Sequence, residues 1–487
     1  MLRHNFSVLL LLVVVGCLLA ACTREVPKTD GRVRPNIIYI LADDLGYGDL
    51  SCYGQTKFIT PNIDRLGKEG MRFTQHYAGS TVCAPSRSAL LTGLHTGHTY
   101  VRGNKEVMPE GQHPLADSIV TLAEFLQTQG YVTGAFGKWG LGYPGSEGAP
   151  LQQGFDVFYG YNCQRFGHHY YPYHLWSNGD SISLPANAGA GRGSYAPDLI
   201  HRQTLSFLEA NADTSFFLYV PSIIPHAELD APDSLLAQQQ GKFPPEKSYS
   251  GAQAQDEGFR TNGRYAAQAT PHAAFVAMVQ LLDQQVGEIV QLVHELGIAD
   301  KTLIIFSSDN GPHQEGGADP DYFNSNGPYR GYKRDLYEGG IRVPMIASWP
   351  GTIPSGQESD HVSASWDIFS TVSDLLEQPT PVTDGISFLP TLTGQGTQPQ
   401  HDFLYWEFHE RGGRQAIRRG HWKAVRYQVN QSPPGAIELY DLSTDAAEEN
   451  DLASDHPTIV KEMEELFRTA RTPSPVFRFA SETFAGD

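Results

Sequence analysis

Short apolar runs alternate with segments of helical spacing through the central part of the chain. The runs show no alternation of polar and apolar positions, which is typical of strands buried on both faces of a parallel sheet. They occupy residues 36–41, 216–221 and 302–306. Residues 121–131 and 272–297 carry apolar positions at helical spacing, and glycines close both segments. This order predicts an α/β fold with a large mixed, mostly parallel sheet flanked by helices.

The pattern changes toward the end of the chain. Residues 415–428 and 436–443 indicate antiparallel strands, and residues 457–471 indicate a final amphipathic helix. We therefore expect two domains. The larger one spans residues 35–390, and residues 391–487 form a smaller C-terminal α+β domain with an antiparallel sheet.

Residues 1–21 have the composition of an export signal. Arg3 precedes an apolar run that is short for a membrane span and ends in small residues. The sequence LAAC at its end resembles the bacterial lipobox, which implies cleavage before Cys22 and attachment of lipid to Cys22. We expect an exported bacterial envelope lipoprotein, on the periplasmic side or the cell surface, anchored to the membrane through Cys22. Residues 22–34 are then a lipidated tether. An ordinary signal peptide is the alternative.

Composition and charge restrict the function. A chain of 487 residues with 40% hydrophobic content can bury a large core. Its formal net charge of -19 argues against a nucleic-acid partner, and an anionic substrate would require a locally positive site. After export, Cys52, Cys83 and Cys163 remain, which are too few for a disulfide framework. Whether Cys52 and Cys163 pair stays open.

Polar residues follow two of the predicted strands. Asp43 and Asp44 come after the first strand, and Asp309 and Asn310 come after the strand at 302–306. Ligands gather at the carboxyl ends of strands in sheets of this kind. Four oxygen donors there suit a hard divalent cation such as Ca²⁺ or Mg²⁺. For either pair taken alone, helix capping is the simpler interpretation.

A cysteine motif connects these residues to a known family. Residues 83–87 (CAPSR), continued by LTG at 91–93, match the Cys-x-Pro-Ser-Arg signature. In this the chain resembles the formylglycine-dependent type I sulfatases, arylsulfatase-like members of the alkaline phosphatase superfamily. Further landmarks follow in that family's order: DDLGYGD at 43–49, GKWGLG at 137–142, PH at 225–226, DNG at 309–311 and GYKRDLYEGGIRVP at 331–344. The resemblance implies an alkaline-phosphatase-like fold with the larger domain as the catalytic one.

The resemblance implies that a formylglycine-generating enzyme oxidises Cys83 to Cα-formylglycine during maturation. The hydrated aldehyde then attacks sulfur with help from Asp309, and its second hydroxyl allows sulfate to leave without hydrolysis of a sulfate ester. The implied cation is Ca²⁺, with Mg²⁺ as the alternative. Its implied ligands are Asp43, Asp44, Cys83, Asp309 and Asn310. Without the family context, Cys83 would be an unmodified buried thiol.

The resemblance also implies roles for four other residues. Arg87 orients the formylglycine. Lys138 and Lys333 bind the sulfate oxygens. His226 protonates the leaving oxygen, a contribution worth about 10²–10⁴-fold in rate. For any of these residues taken singly, a solvated lysine or a satisfied loop histidine would be the preferred interpretation, and their places within the family's landmarks reverse that preference.

The sequence departs from the family pattern at one position. The family has Gly-Lys-Trp-His-Leu-Gly where this chain has Gly140 in place of the histidine. That imidazole contacts the formylglycine and is assigned to the release of sulfate. Either another group replaces it, or release is slow. The candidate replacements are His98, His168, His169 and His313.

Aromatic residues are concentrated at residues 160–176. We expect them to stack on sugar rings while Arg165, His168 and His169 bind hydroxyls, although core packing is the alternative. Together with these residues, the resemblance implies a sulfatase that acts on sulfated carbohydrate in polysaccharide degradation, and Gly140 with the HHYYP segment resembles bacterial sulfatases for galactose-type sugars. Two other functions stay open: a phosphomonoester or phosphonate hydrolase of the same superfamily, and a catalytically inactive glycan-binding lipoprotein.

Overall fold

Strand β1 (Asn36–Ala42) lies inside a large sheet, and all seven of its residues are buried. It pairs in parallel with β7 (Phe216–Pro221) on one side and with β8 (Thr302–Ser308) on the other. Successive side chains enter two different hydrophobic clusters, with Ile38 on one face of the sheet and Tyr39 on the other. Because both faces are covered, these strands are apolar without alternation, which confirms the sequence prediction.

The computed structural model describes residues 34–253, 259–261 and 263–480. The predicted signal peptide, Cys22 and all but the last residue of the tether lie outside the described residues. Within the described ranges, no helix has the length and apolar character needed to cross a bilayer. Export and lipidation stay predictions.

Among the described residues, the large sheet contains eight further strands. They are β2 (Met71–Tyr77), β3 (Val132–Lys138), β4 (Val157–Tyr161), β5 (His174–Ser177), β6 (Asp180–Ser183), β9 (Arg342–Ser348), β10 (Gln357–Ser359) and β11 (Ser363–Ala364). In the described part of the chain the order is β10-β2-β9-β8-β1-β7-β3-β4-β5-β6, and β11 also pairs with β2. Strands β8, β1, β7, β3 and β4 run parallel, whereas β9 is antiparallel to both of its neighbours. The mixed, mostly parallel sheet is the one that the sequence predicts.

Helices cover both faces of this sheet. They are α1 (Pro61–Glu69), α2 (Cys83–Thr92), α3 (Leu122–Thr128), α4 (Ala196–Asn211), α5 (Asp233–Gln239), α6 (Pro271–Glu295), α7 (Pro320–Phe323), α8 (Glu338–Ile341), α9 (Asp367–Leu375), α10 (Leu389–Thr393) and α11 (Pro457–Thr469). Helices α4 and α6 pack on the face that contains Ile38. Helices α2, α3 and α9 pack on the opposite face. Short 3-10 helices occupy Tyr47–Asp49, Ser51–Tyr53, Pro150–Gln153, Phe166–His168, Pro185–Asn187, Phe259–Thr261 and Ala299–Lys301.

A second sheet follows near the C-terminus. Its strands are β12 (Leu404–Phe408), β13 (Arg414–Arg419), β14 (Trp422–Tyr427) and β15 (Ile437–Asp441), and neighbouring strands are antiparallel. Helix α11 packs on one face of this sheet through Met463 and Phe467. The other face packs against Tyr77 of the large sheet through Trp406. The antiparallel sheet and final helix confirm the predicted elements, and the domain boundary at residue 390 stays a prediction.

Trp406 allows a test of the packing between the two sheets. Its side chain is fully buried, its indole N–H donates to the Ala78 carbonyl at 2.9 Å, and its ring centroid lies 5.3 Å from that of Tyr77. We expect Trp406→Ala to lower the free energy of unfolding by about 3–5 kcal/mol. Urea unfolding measures this, with Val382→Ala, at a residue that is 95% exposed, as the control. Equal stability of the two variants would contradict the described packing.

Candidate active site

The carboxyl ends of four adjacent parallel strands, β8, β1, β7 and β3, meet at one edge of the large sheet. Residues 43–44 follow β1, residues 309–310 follow β8, and Lys138 ends β3. The loop after β7 reaches the same place, because the Asp43 N–H donates to the Ile224 carbonyl at 3.0 Å. His226 lies two residues further along this loop. Parallel pairing therefore assembles residues that are far apart in the sequence.

The polar residues that follow β1 and β8 are hydrogen-bonded to one another. The Asp44 N–H donates to Asp309 Oδ1 at 3.1 Å, and Asn310 Nδ2 donates to Asp44 Oδ1 at 2.6 Å. Asp44 has a φ of 65°, a left-handed conformation that costs a non-glycine residue about 1–3 kcal/mol and is concentrated at functional sites. The Oδ1 atom of Asn310 is buried and has no hydrogen-bond partner among the described residues. Buried oxygen donors of this kind fit a hard cation such as Ca²⁺.

Cys83 is the first residue of α2 and is buried beside Asp43. Its Sγ donates to Asp43 Oδ1 at 3.2 Å and lies 3.8 Å from Lys138 Nζ. Burial, followed by the charge of Asp43, raises the pKa of the Cys83 thiol well above its ordinary value. An unmodified Cys83 is therefore a neutral thiol and a weak nucleophile at neutral pH.

Arg87 and Lys138 offset the negative charges of two of the buried carboxylates. Arg87 Nη2 lies 2.9 Å from Asp309 Oδ2, and the guanidinium also donates to the Lys138 carbonyl. Lys138 Nζ lies 2.7 Å from Asp43 Oδ2. Burial alone would raise the pKa of Asp43, but Lys138 and the other nearby cations lower it to about 2. Burial and repulsion from Asp43 raise the pKa of Asp309 to about 7. A cation bound here would favour the carboxylate form of Asp309.

Lys333 and His226 form the opposite side of the site. Lys333 Nζ lies 2.8 Å from Asp44 Oδ2 and 2.9 Å from His226 Nε2. His226 Nδ1 contacts the Ala227 carbonyl, so Nδ1 carries the ring proton and Nε2 accepts from Lys333. Burial, reinforced by Lys333 and Lys138, lowers the pKa of His226 well below its ordinary value. The ring is therefore neutral, and the ammonium group of Lys333 is the proton donor of the pair.

A cavity of about 280 Å³ adjoins these residues. Its lining includes five residues that the sequence singled out: Cys83, Arg165, His168, His226 and Lys333. It also includes residues that the sequence analysis missed: Asn104, Glu106, Gln112, Gln164, Tyr265 and Arg334. Arg334 lies within the motif at 331–344 and Gln164 within the aromatic segment at 160–176, so the sequence carries a signal for both. Asn104 and Glu106 belong to none of the sequence motifs named above.

The three predicted sugar-binding residues are in different environments. Arg165 lines the cavity, and its Nε lies 2.6 Å from an oxygen of Glu106. The ring of His168 stacks on that of His226, with the centroids 4.4 Å apart. His169 is fully buried instead, and its Nδ1 lies 3.2 Å from Glu228 Oε2.

The other two histidines considered as replacements at position 140 also differ in location. The Nδ1 atom of His98 lies 2.8 Å from Asp384 Oδ1, and neither residue is part of the described cavity lining. His313 stacks on His226 with a centroid distance of 5.6 Å. Of the four candidates, His168 and His313 therefore contact the ring of His226.

Two models of known protein families match this chain. The Sulfatase family model matches residues 35–378, and the model for the C-terminal region of N-sulphoglucosamine sulphohydrolase matches residues 329–472. The chain belongs to the sulfatase family. It is a sulfuric ester hydrolase, a type I sulfatase of the alkaline phosphatase superfamily, and this confirms the resemblance seen in the sequence.

Individual relatives agree with this assignment. The chain is 32% identical to N-acetylgalactosamine-6-O-sulfatase of Bacteroides thetaiotaomicron, over 96% of this chain and 99% of that protein. It is 33% identical to arylsulfatase A of Homo sapiens, over 80% of this chain and 74% of that protein. The solved structure of Ps i-CgsB in complex with k-i-k-neocarrahexaose has a TM-score of 0.73 and 26% identity, and the match covers 92% of this sulfatase and 94% of that chain. The phosphohydrolase and inactive-lipoprotein alternatives are not favoured.

The contrast between His168 and His169 generates a prediction. We expect His168→Ala to lower kcat/KM for an aryl sulfate by about tenfold without a change in the thermal midpoint, because His168 packs on His226 in the cavity. His169→Ala should instead lower the free energy of unfolding by about 1–3 kcal/mol, because Glu228 loses a buried partner. Steady-state kinetics and thermal unfolding of both variants measure the two effects. A loss of stability in His168→Ala, together with a loss of activity but not of stability in His169→Ala, would contradict the placement of these two rings.

Proposed function

We propose that this sulfatase hydrolyses sulfate esters of carbohydrates, using a formylglycine made from Cys83 and a bound divalent cation. The observation that carries the proposal is the position of Cys83 Sγ, 3.2 Å from Asp43 Oδ1 within a buried set of carboxylates and cations. When present, the formylglycine supplies an oxygen nucleophile and the cation withdraws charge from the sulfate oxygens.

The strand-end residues have the donor chemistry for the cation. Asp43, Asp44, Asp309 and Asn310, with residue 83, would hold it. All four supply hard oxygen atoms, and the buried Oδ1 of Asn310 has no hydrogen-bond partner in the described part of the chain. Ca²⁺ accepts irregular sets of six to eight oxygens, whereas Mg²⁺ requires near-octahedral geometry. We therefore favour Ca²⁺ over Mg²⁺.

The cationic side chains have separate tasks in this proposal. Arg87 fixes the orientation of Asp309 through contacts of its Nε and Nη2 at 3.2 and 2.9 Å. Lys138 and Lys333 offset the negative charge of the sulfate group and bind its oxygens. Because His226 Nε2 accepts from Lys333 and orients its ammonium group, Lys333 is the member of the pair that protonates the leaving sugar oxygen, and its neutral amine then stays beside His226.

A carbohydrate is the substrate class that the cavity supports. Arg165, His168 and Tyr265 line it, which combines hydrogen-bonding groups with aromatic faces suited to sugar rings. The N-acetylgalactosamine-6-O-sulfatase relative is named for a sulfated amino sugar, and Ps i-CgsB was solved with a neocarrahexaose. These names support a sulfated galactose-type or related glycan fragment as the substrate.

Comparison of nitrophenyl sulfate with nitrophenyl phosphate tests the proposed reaction. We expect the sulfate to be the better substrate by kcat/KM, and Cys83→Ala to lower kcat by more than about 10⁴-fold because it removes the nucleophile. Cys52→Ala, at a half-buried cysteine of another segment, is the control. Preferred hydrolysis of the phosphate, or an active Cys83→Ala variant, would contradict the mechanism. Failure to desulfate any member of a panel of sulfated galactose-type oligosaccharides would contradict the carbohydrate proposal.

Removal of the cation gives a second prediction. Chelation followed by gel filtration should abolish turnover, and added Ca²⁺ should restore it, because the ion is the counter-charge for sulfate in a site with three carboxylates. Asp309→Ala should also lower the Ca²⁺ content measured by elemental analysis. Asp233→Ala, at a side chain that is 90% exposed, should retain it. Full activity of metal-free protein would show that the cation assignment is wrong.

A further inference from the structure

The sequence departs from the family pattern at Gly140. The space that a side chain would fill there is taken by another residue. Gly140 has a φ of 82°, and a Cβ atom added to it would lie 1.8 Å from Gln164 Nε2 and 2.8 Å from Gln164 Cδ. These distances are far below van der Waals contact. The amide group of Gln164 therefore occupies the volume that any side chain at position 140 would enter.

The sheet explains how a residue 24 positions along the chain reaches this place. Strands β3 and β4 are parallel neighbours, with Lys138 opposite Tyr161. Their pairing continues past the strand ends, because the Gly140 N–H donates to the Asn162 carbonyl at 3.0 Å. The Gln164 N–H then donates to the Gln112 side chain at 2.8 Å. The segment that follows β4 thus supplies the polar side chain of Gln164 beside Gly140, which follows β3 and has no side chain.

The environment of Gln164 is that of a ligand-binding group. The residue is 5% exposed, and neither Oε1 nor Nε2 has a hydrogen-bond partner among the described residues. An unsatisfied buried amide costs about 1–3 kcal/mol, so a purely space-filling role would favour an apolar side chain. Gln164 lines the same cavity as Cys83, His226 and Lys333.

We propose that the Gln164 amide donates a hydrogen bond to the sulfate group of the substrate, in place of the imidazole that the family carries at position 140. The inference rests on the proposed function, since it places sulfate beside Cys83. A neutral amide binds an anion but does not take up a proton at neutral pH. Gln164 is therefore a sulfate-binding residue, and proton transfer remains with other groups of the site, such as the Lys333–His226 pair.

Gln164→Met is the decisive variant, because methionine keeps the length and volume of the side chain but removes the donor. Binding of inorganic sulfate to Ca²⁺-loaded Cys83→Ala protein, measured by calorimetry, provides a readout independent of turnover. We expect Gln164→Met to weaken sulfate binding by about tenfold or more, as for the loss of a hydrogen bond to a charged group. Its thermal midpoint should equal or exceed that of Cys83→Ala alone, because the buried amide is gone.

Gln153→Met is the matched control, since Gln153 is also buried but its Nε2 donates to the Glu147 carbonyl at 2.9 Å. It should leave sulfate affinity unchanged. Sulfate binding that is equal with and without Gln164→Met overturns the inference and leaves the proposed function intact. Cys83→Ala protein that binds no sulfate also contradicts the inference, and the separate comparison of aryl sulfate with aryl phosphate then shows whether the proposed function fails as well.

Discussion

Burial of three carboxylates at one edge of the sheet is the constraint on which the active site depends. Asp43, Asp44 and Asp309 are each at most 1% exposed. An uncompensated charge at this depth would cost several kcal/mol. The compensating cations are Lys138, Lys333 and Arg87, at 2.7, 2.8 and 2.9 Å. They come from β3, a distant loop and α2, so the charge balance exists only when the whole sheet has formed.

The sequence predicts the parts of this fold in which local pattern and tertiary environment agree. The run at β1 is apolar because β7, β8 and helices on both faces bury it, and the polar residues that follow it must then lie at the sheet edge. The sequence does not predict strand β9, because Arg342–Ser348 begins within the motif at 331–344, whose residues are characteristic of the site and show no separate strand pattern.

Other features depend on contacts that no local pattern encodes. His168 and His169 are adjacent in the sequence, yet one stacks on His226 and the other faces Glu228, since a single residue step turns the side chain in a new direction. The proximity of the Gln164 amide to Gly140 depends on the register of β3 against β4. Gln164 is a neutral amide in the segment that follows β4, so no pattern of titratable residues in the sequence connects it with position 140.

The chemical state of residue 83 tests the central claim most directly. Its thiol is buried and carries a raised pKa, which makes the unmodified residue a weak nucleophile, and the proposed mechanism therefore requires its conversion to the aldehyde. Peptide mass spectrometry of active protein, purified from cells that contain the modifying enzyme, measures this state. The account predicts a peptide with the mass of formylglycine at position 83, in a fraction that rises in proportion to kcat between preparations. Fully active protein that contains only unmodified Cys83 would contradict it.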